Sequence, residues 1–189
     1  MKLRKRITTV CVLIVIAVSI AYGVITIRKF GDEFANAWNP TNDMSRFEES
    51  LTRLRDGGYA KHFPDALDGQ AIAFYFDPGP LQAPTVLQLR CNIDSSDLEN
   101  ELKRAQDRIR DAKERGKTIY SSAPRPYFYA TEHDSETGRG QDVLPAHWVV
   151  YMHIAEDRGQ NSFAWNHGWT EGVAFDEKAG EILYFTELW

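Results

Sequence analysis

GVAFDEKAGEILYFTEL, residues 172–188, carries the strongest fold signal in the chain. Two runs rich in Val, Phe, Ile and Tyr flank Asp176-Glu177-Lys178-Ala179-Gly180, a five-residue connection that ends in glycine. Such a loop suits a β-hairpin that needs one left-handed residue. Upstream, AIAFYF (71–76) alternates Ile72, Phe74 and Phe76, and Asp77-Pro78-Gly79-Pro80 is a strong turn. TVLQLRCNI (85–93) follows as a strand with Leu87, Leu89, Cys91 and Ile93 on one face. PYFYATE (126–132) and HWVVYMHIA (147–155) read as two further strands.

Two soluble helices interrupt the strands. Met44, Phe47, Leu51 and Leu54 form one stripe behind a Ser45/Glu48 capping box, and Gly57-Gly58 stops the run. Ser96-Asp97-Leu98-Glu99 opens the second, where Leu98, Leu102, Ala105, Ile109 and Ala112 align until Gly116. About six short strands and two helices without alternation predict an α+β domain with a mainly antiparallel sheet and helices on one face.

The N-terminus reads differently. Ile7 to Ile27 contains no charged residue, and at ~1.5 Å per residue it makes roughly 31 Å of helix, enough to cross a bilayer. Lys2, Arg4, Lys5 and Arg6 precede it and only Arg28 and Lys29 follow, which places the N-terminus in the cytoplasm. Ser19-Ile20-Ala21 offers a signal-peptidase site, but Val24, Ile25 and Ile27 carry the apolar run past it and favour an uncleaved anchor. Cys11 is a small apolar residue of that span. The organisation expected is a basic tail (1–6), a transmembrane helix (7–27), a juxtamembrane connector (28–42) and an exported α+β domain (43–189). Asn39-Pro40 ends any helix running through the connector.

Charge follows the same division. The chain has 189 residues and a formal net charge of −5, yet residues 1–29 hold six basic residues and no acid. The remainder keeps 16 of the 22 basic residues against all 27 acids. An acidic body disfavours nucleic acid as a partner. Two cysteines exclude a disulfide scaffold, and Cys91, in phase with Leu87, Leu89 and Ile93, reads as a buried thiol.

HFPDAL, AIAFYFDPGPLQ running into TVLQLR, and the terminal GVAFDEKAGEILYFTELW together resemble a group of small exported bacterial proteins of unassigned function. The likeness spans residues 61–93 and 171–189 and consists of turn and strand signatures. It implies a protein of the bacterial cell envelope, and with the apolar span and charge bias above the location expected is the inner (cytoplasmic) membrane, with the C-terminal domain periplasmic or extracytoplasmic. It implies no activity, cofactor or catalytic residue.

No G-x-S-x-G, H-E-x-x-H, P-loop, G-x-G-x-x-G or C-x-x-C spacing occurs, and no cofactor or catalytic residue is assigned. The richest constellation is Phe163-Ala164-Trp165-Asn166-His167-Gly168-Trp169. Trp165 and Trp169 around Asn166 and His167 can stack a sugar ring or peptide while the polar groups orient it; equally, both indoles can fold inward and cap the core. His133 and His147 meet at one loop mouth if their strands pair, beside Glu132, Asp134 and Asp142, and are the metal candidates. His147 and His153 lie on one strand face about 20 Å apart, too far to share an ion. The expected function is a tethered envelope domain that binds a protein, peptide or glycan. The alternatives are an envelope hydrolase using His133/His147 or His167/Glu171, and an immunity or inhibitor protein steered by its acidic surface.

Overall fold

The computed structural model describes residues 19, 22–29, 31, 39–67, 69–79, 84–116, 125, 126, 128, 143–158 and 167–189. The chain divides into two units, Met1–Asn39 and Pro40–Trp189. In the first, residues 22–29 are helical, and the Thr26 hydroxyl donates to the Tyr22 carbonyl at 2.9 Å. Among the described residues no helix is long and apolar enough to cross a membrane; most of the 7–27 span lies outside them.

The second unit is α+β. A short 3-10 turn, Met44–Arg46, leads into helix α1, Phe47–Asp56. Strands β1 (Ala71–Asp77) and β2 (Thr85–Asn92) precede helix α2, Ser95–Glu114. Strands β3 (Val149–Asp157), β4 (Gly168–Asp176) and β5 (Glu181–Leu188) complete one antiparallel sheet, ordered β1-β2-β5-β4-β3. The terminal hairpin therefore sits at the sheet centre, with β5 paired to β2 on one side and β4 on the other. Gly180 has φ +69°, the left-handed residue that the hairpin needs.

Period-two alternation decides what the strands bury, except at the start of β1, where a register shift between Ala71 and Ala73 puts Ile72 with the opposite cluster instead of beside Phe74 and Phe76 as the alternation predicts. Phe74, Phe76, Leu87, Leu89, Val173, Phe175, Ile182 and Tyr184 join Phe47, Leu51, Leu54 and Ala105 of the helices in the larger core. On the opposite face Ala73, Ala174 and Leu183 pack with Leu144 and Trp148, from the segment that enters β3. Arg125 fixes that segment by donating to the carbonyls of Leu144, Pro145 and Trp148 at 3.3, 3.0 and 3.0 Å. Cys91 is buried as a free thiol.

Several boundaries differ from the sequence expectation. α1 and its 3-10 lead are capped by Asp43, whose carboxylate accepts from the Ser45 N–H at 3.0 Å. α2 starts at Ser95 behind Asp94, one residue ahead of the expected capping box. Thr41, at the end of the expected connector, exchanges two 2.8 Å backbone hydrogen bonds with Phe76 at the sheet's β1 edge. β4 begins at Gly168, so Trp169 and Glu171 are strand residues. The strand expected at 126–132 falls mostly outside the described residues.

β3 and β4 pair without a gap from Val149↔Phe175 to Met152↔Gly172, and then Ile154 faces Glu171. One step on β4 thus matches two on β3, which leaves His153 as the extra residue of a β-bulge. At the bulge the strands approach closely: a Cβ on Gly172 would stand 2.5 Å from the Tyr151 carbonyl oxygen and 2.6 Å from Phe185 Cζ. Gly172→Ala is therefore expected to destabilise the fold by about 3 kcal/mol in denaturant unfolding, the upper range of core overpacking. A loss below about 0.5 kcal/mol would contradict this close approach.

Candidate functional site

Three local irregularities converge on one point of the helix-covered face. After α1, Gly57 and Gly58 release the chain into Tyr59-Ala60-Lys61-His62. Ala60 takes φ +54°, a left-handed conformation costing about 1–2 kcal/mol for a residue with a Cβ, and it is fully buried. That turn aims the Ala60 N–H at Glu171 Oε1, 3.0 Å away, and brings His62 down onto the sheet. The β3 bulge delivers His153 from the other side.

His62, His153 and Glu171 are 5, 8 and 4 % exposed. His62 Nε2 lies 3.0 Å from the Gly172 carbonyl oxygen and 3.2 Å from that of Phe185. Both partners can only accept, so Nε2 carries the hydrogen. His62 Nδ1 faces Glu171 Oε2 at 3.6 Å, and His153 Nε2 faces the same oxygen at 3.7 Å. Those separations exceed ordinary hydrogen bonds. His62 Nδ1 is buried and has no hydrogen-bond partner among the described residues. The two imidazoles meet edge to face with centroids 4.6 Å apart.

Electrostatics sharpen the picture. Burial pushes the His62 imidazole down to about 4, against the raising influence of Glu171, and nearby Arg108 of α2 adds to the lowering. Burial on its own would raise Glu171, but its contacts, His153 foremost and the Ala60 N–H among them, bring it down to about 2. At neutral pH the centre holds an ionised carboxylate and a neutral His62 whose Nδ1 lone pair points towards it.

Of the residues singled out from sequence, Glu171 belongs to this centre, and the others lie elsewhere or outside the described region. His133, Trp165 and Asn166 fall outside it. His167 is exposed at the entry to β4, and its carbonyl accepts from the Arg158 N–H at 2.6 Å. Trp169 is half-buried: the Arg158 guanidinium stacks 4.6 Å from its ring centroid and Tyr59 meets it edge-on at 5.6 Å. Glu171 is turned onto Ala60, His62 and His153. His147 is exposed and pairs with Asp176 at 3.1 Å, while Asp176 Oδ1 also accepts from the N–H groups of Lys178 and Ala179 in the hairpin turn. The pairing of His62 with His153 was not anticipated. His62 lies in a loop, and a bulge at His153 interrupts the period-two pattern from which its neighbours were read.

Protons bind this centre more readily in the unfolded chain. His62, lowered from 6.5 to about 4, contributes stability that is complete above pH 6.5 and is lost as pH falls through 4. Glu171, lowered from 4.5 to about 2, adds a contribution lost between those values. Thermal unfolding followed from pH 7 to pH 4 should show a steadily falling midpoint, and His62→Gln should flatten that slope. A midpoint independent of pH across this range would contradict a neutral, buried His62. In comparisons with known proteins, no family model matches the chain, and neither a curated protein nor a solved structure shows significant similarity to it.

Proposed function

We propose that this chain is a single-pass membrane protein of the bacterial cell envelope whose exported domain works by binding, as a recognition or assembly module for another envelope protein, a peptide or a glycan. The observation that carries the tether is the helix over residues 22–29, where Tyr22, Val24, Ile25 and Ile27 are 73, 49, 65 and 73 % exposed. Apolar side chains exposed on this helix suit an apolar surrounding, and the helix overlaps an uncharged run of 21 residues in the sequence. The Thr26 hydroxyl bonded to the carbonyl one turn back satisfies a polar group inside its own helix, as lipid demands.

Binding is favoured over turnover by the sealing of the principal titratable cluster. His62, His153 and Glu171 face the packed interior, between the loop after α1 and the sheet, so the chemistry they support acts on the domain itself. The recognising surface then lies elsewhere on the acidic unit, and a tether raises its effective concentration for partners at the membrane. An envelope hydrolase is the second reading, favoured by the exposed His147–Asp176 pair. Asp176 is already committed to the hairpin turn, which weakens its claim as an orienting carboxylate.

The tether is tested by a C-terminal reporter that folds only outside the cytoplasm, together with alkaline extraction of membranes and N-terminal sequencing. The expected outcome is an active reporter on a chain that resists extraction and retains residues 1–27. An inactive reporter, or a mature chain starting near Tyr22, would overturn the anchored reading.

A further inference from the structure

We propose that His62 Nδ1, His153 Nε2 and Glu171 Oε2 form a binding site for a divalent first-row transition ion of the zinc class, which fastens the Ala60–Phe63 loop to β3 and β4. One donor atom from each residue lies within 4.8 Å of the others. Two ligand atoms on a tetrahedral ion with bonds of ~2.0 Å stand about 3.3 Å apart. The observed 3.6 and 3.7 Å contacts to Glu171 are therefore closer to the edge of a coordination polyhedron than to a hydrogen bond.

The donor chemistry agrees. Because the His62 Nε2 hydrogen is directed at the Gly172 and Phe185 carbonyls, its Nδ1 presents an electron pair to a carboxylate and a second imidazole. Acceptors facing one another in a dry interior repel unless a proton or a cation lies between them. The outer contacts are also those of a ligand set: a ring N–H tied to backbone carbonyls fixes the His62 tautomer, and the Ala60 N–H fixes the second oxygen of Glu171.

Selectivity follows from the same residues. Two imidazoles and one carboxylate supply a single negative charge, with Arg108 close enough to oppose a cation electrostatically. Ca2+ and Mg2+ need oxygen-rich cages, whereas nitrogen donors suit Zn2+ and its neighbours. Three protein ligands leave the fourth tetrahedral position to a water, and the burial of all three side chains points to a role in holding the fold together. The strained Ala60 turn and the bulge at His153 are the two backbone devices that bring the ligands into register.

The test uses the full chain, stripped with a chelator, dialysed and titrated with Zn2+ or Mg2+ alone. One equivalent of Zn2+ should bind and raise the unfolding temperature, and Mg2+ should leave it unchanged. Co2+ in the same site should develop the visible absorption of a tetrahedral centre. His153→Gln and Glu171→Gln should each abolish the Zn2+-induced shift and weaken binding beyond the ~10–100-fold cost typical of outer-shell changes. If either variant fails to fold, the Zn2+-against-Mg2+ contrast in the wild-type chain decides. An unfolding temperature indifferent to Zn2+, or equal Zn2+ binding by a folded variant and the wild type, would overturn the site.

Discussion

A carboxylate placed inside a sheet has to be answered by its surroundings. Glu171 points from the middle of β4 into the face covered by α1 and α2, with 4 % of it exposed. An uncompensated buried charge costs several kcal/mol even after relaxation. Four features of this fold gather around it: the left-handed Ala60, the bulged His153, the His62 ring lodged against strand carbonyls, and a glycine at position 172. Together they tie the loop after α1 to strands far away in sequence. The larger core, built from regular alternation, can then close around that point.

The regular parts were legible where one period holds, in β2, in β5 and in β1 from Phe74 onward, past the irregularity at Ala71/Ala73. β1, β2 and β5 alternate with large apolar residues on the helix-covered face, and α1 shows its stripe of Phe47, Leu51 and Leu54. Gly180 marked its own turn. The hidden parts are those where two periods conflict or a polar residue takes an inward place. Glu171 and Trp169 read as loop residues because a carboxylate on the inward side breaks the expected apolar row, yet β4 extends through both. His153 was placed by strict alternation with Val149 and Tyr151, and the bulge changes its surroundings without any local Gly or Pro to announce it.

The same reasoning explains why the site was missed. His62 sits in a stretch whose geometry depends on a non-glycine residue at φ +54°, and no composition rule anticipates that. Its partners arrive from β3 and β4, so the three donors share no motif spacing. The aromatic constellation near Trp169 was conspicuous as a string of residues. In the fold, Arg158 occupies a face of that indole and Tyr59 an edge, a packing arrangement that sequence proximity does not encode. The acidic excess of residues 30–189, by contrast, is visible from composition alone and bears on association more than on folding.

The account depends on His62 being neutral, with its proton on Nε2 and an open electron pair at Nδ1 directed towards Glu171. Nitrogen-15 NMR of the histidine rings in the metal-free chain at pH 7 measures this directly. The predicted spectrum shows His62 as the Nε2–H tautomer, with the unprotonated nitrogen shift at Nδ1. A doubly protonated His62 would make the centre a simple buried ion pair and contradict the account.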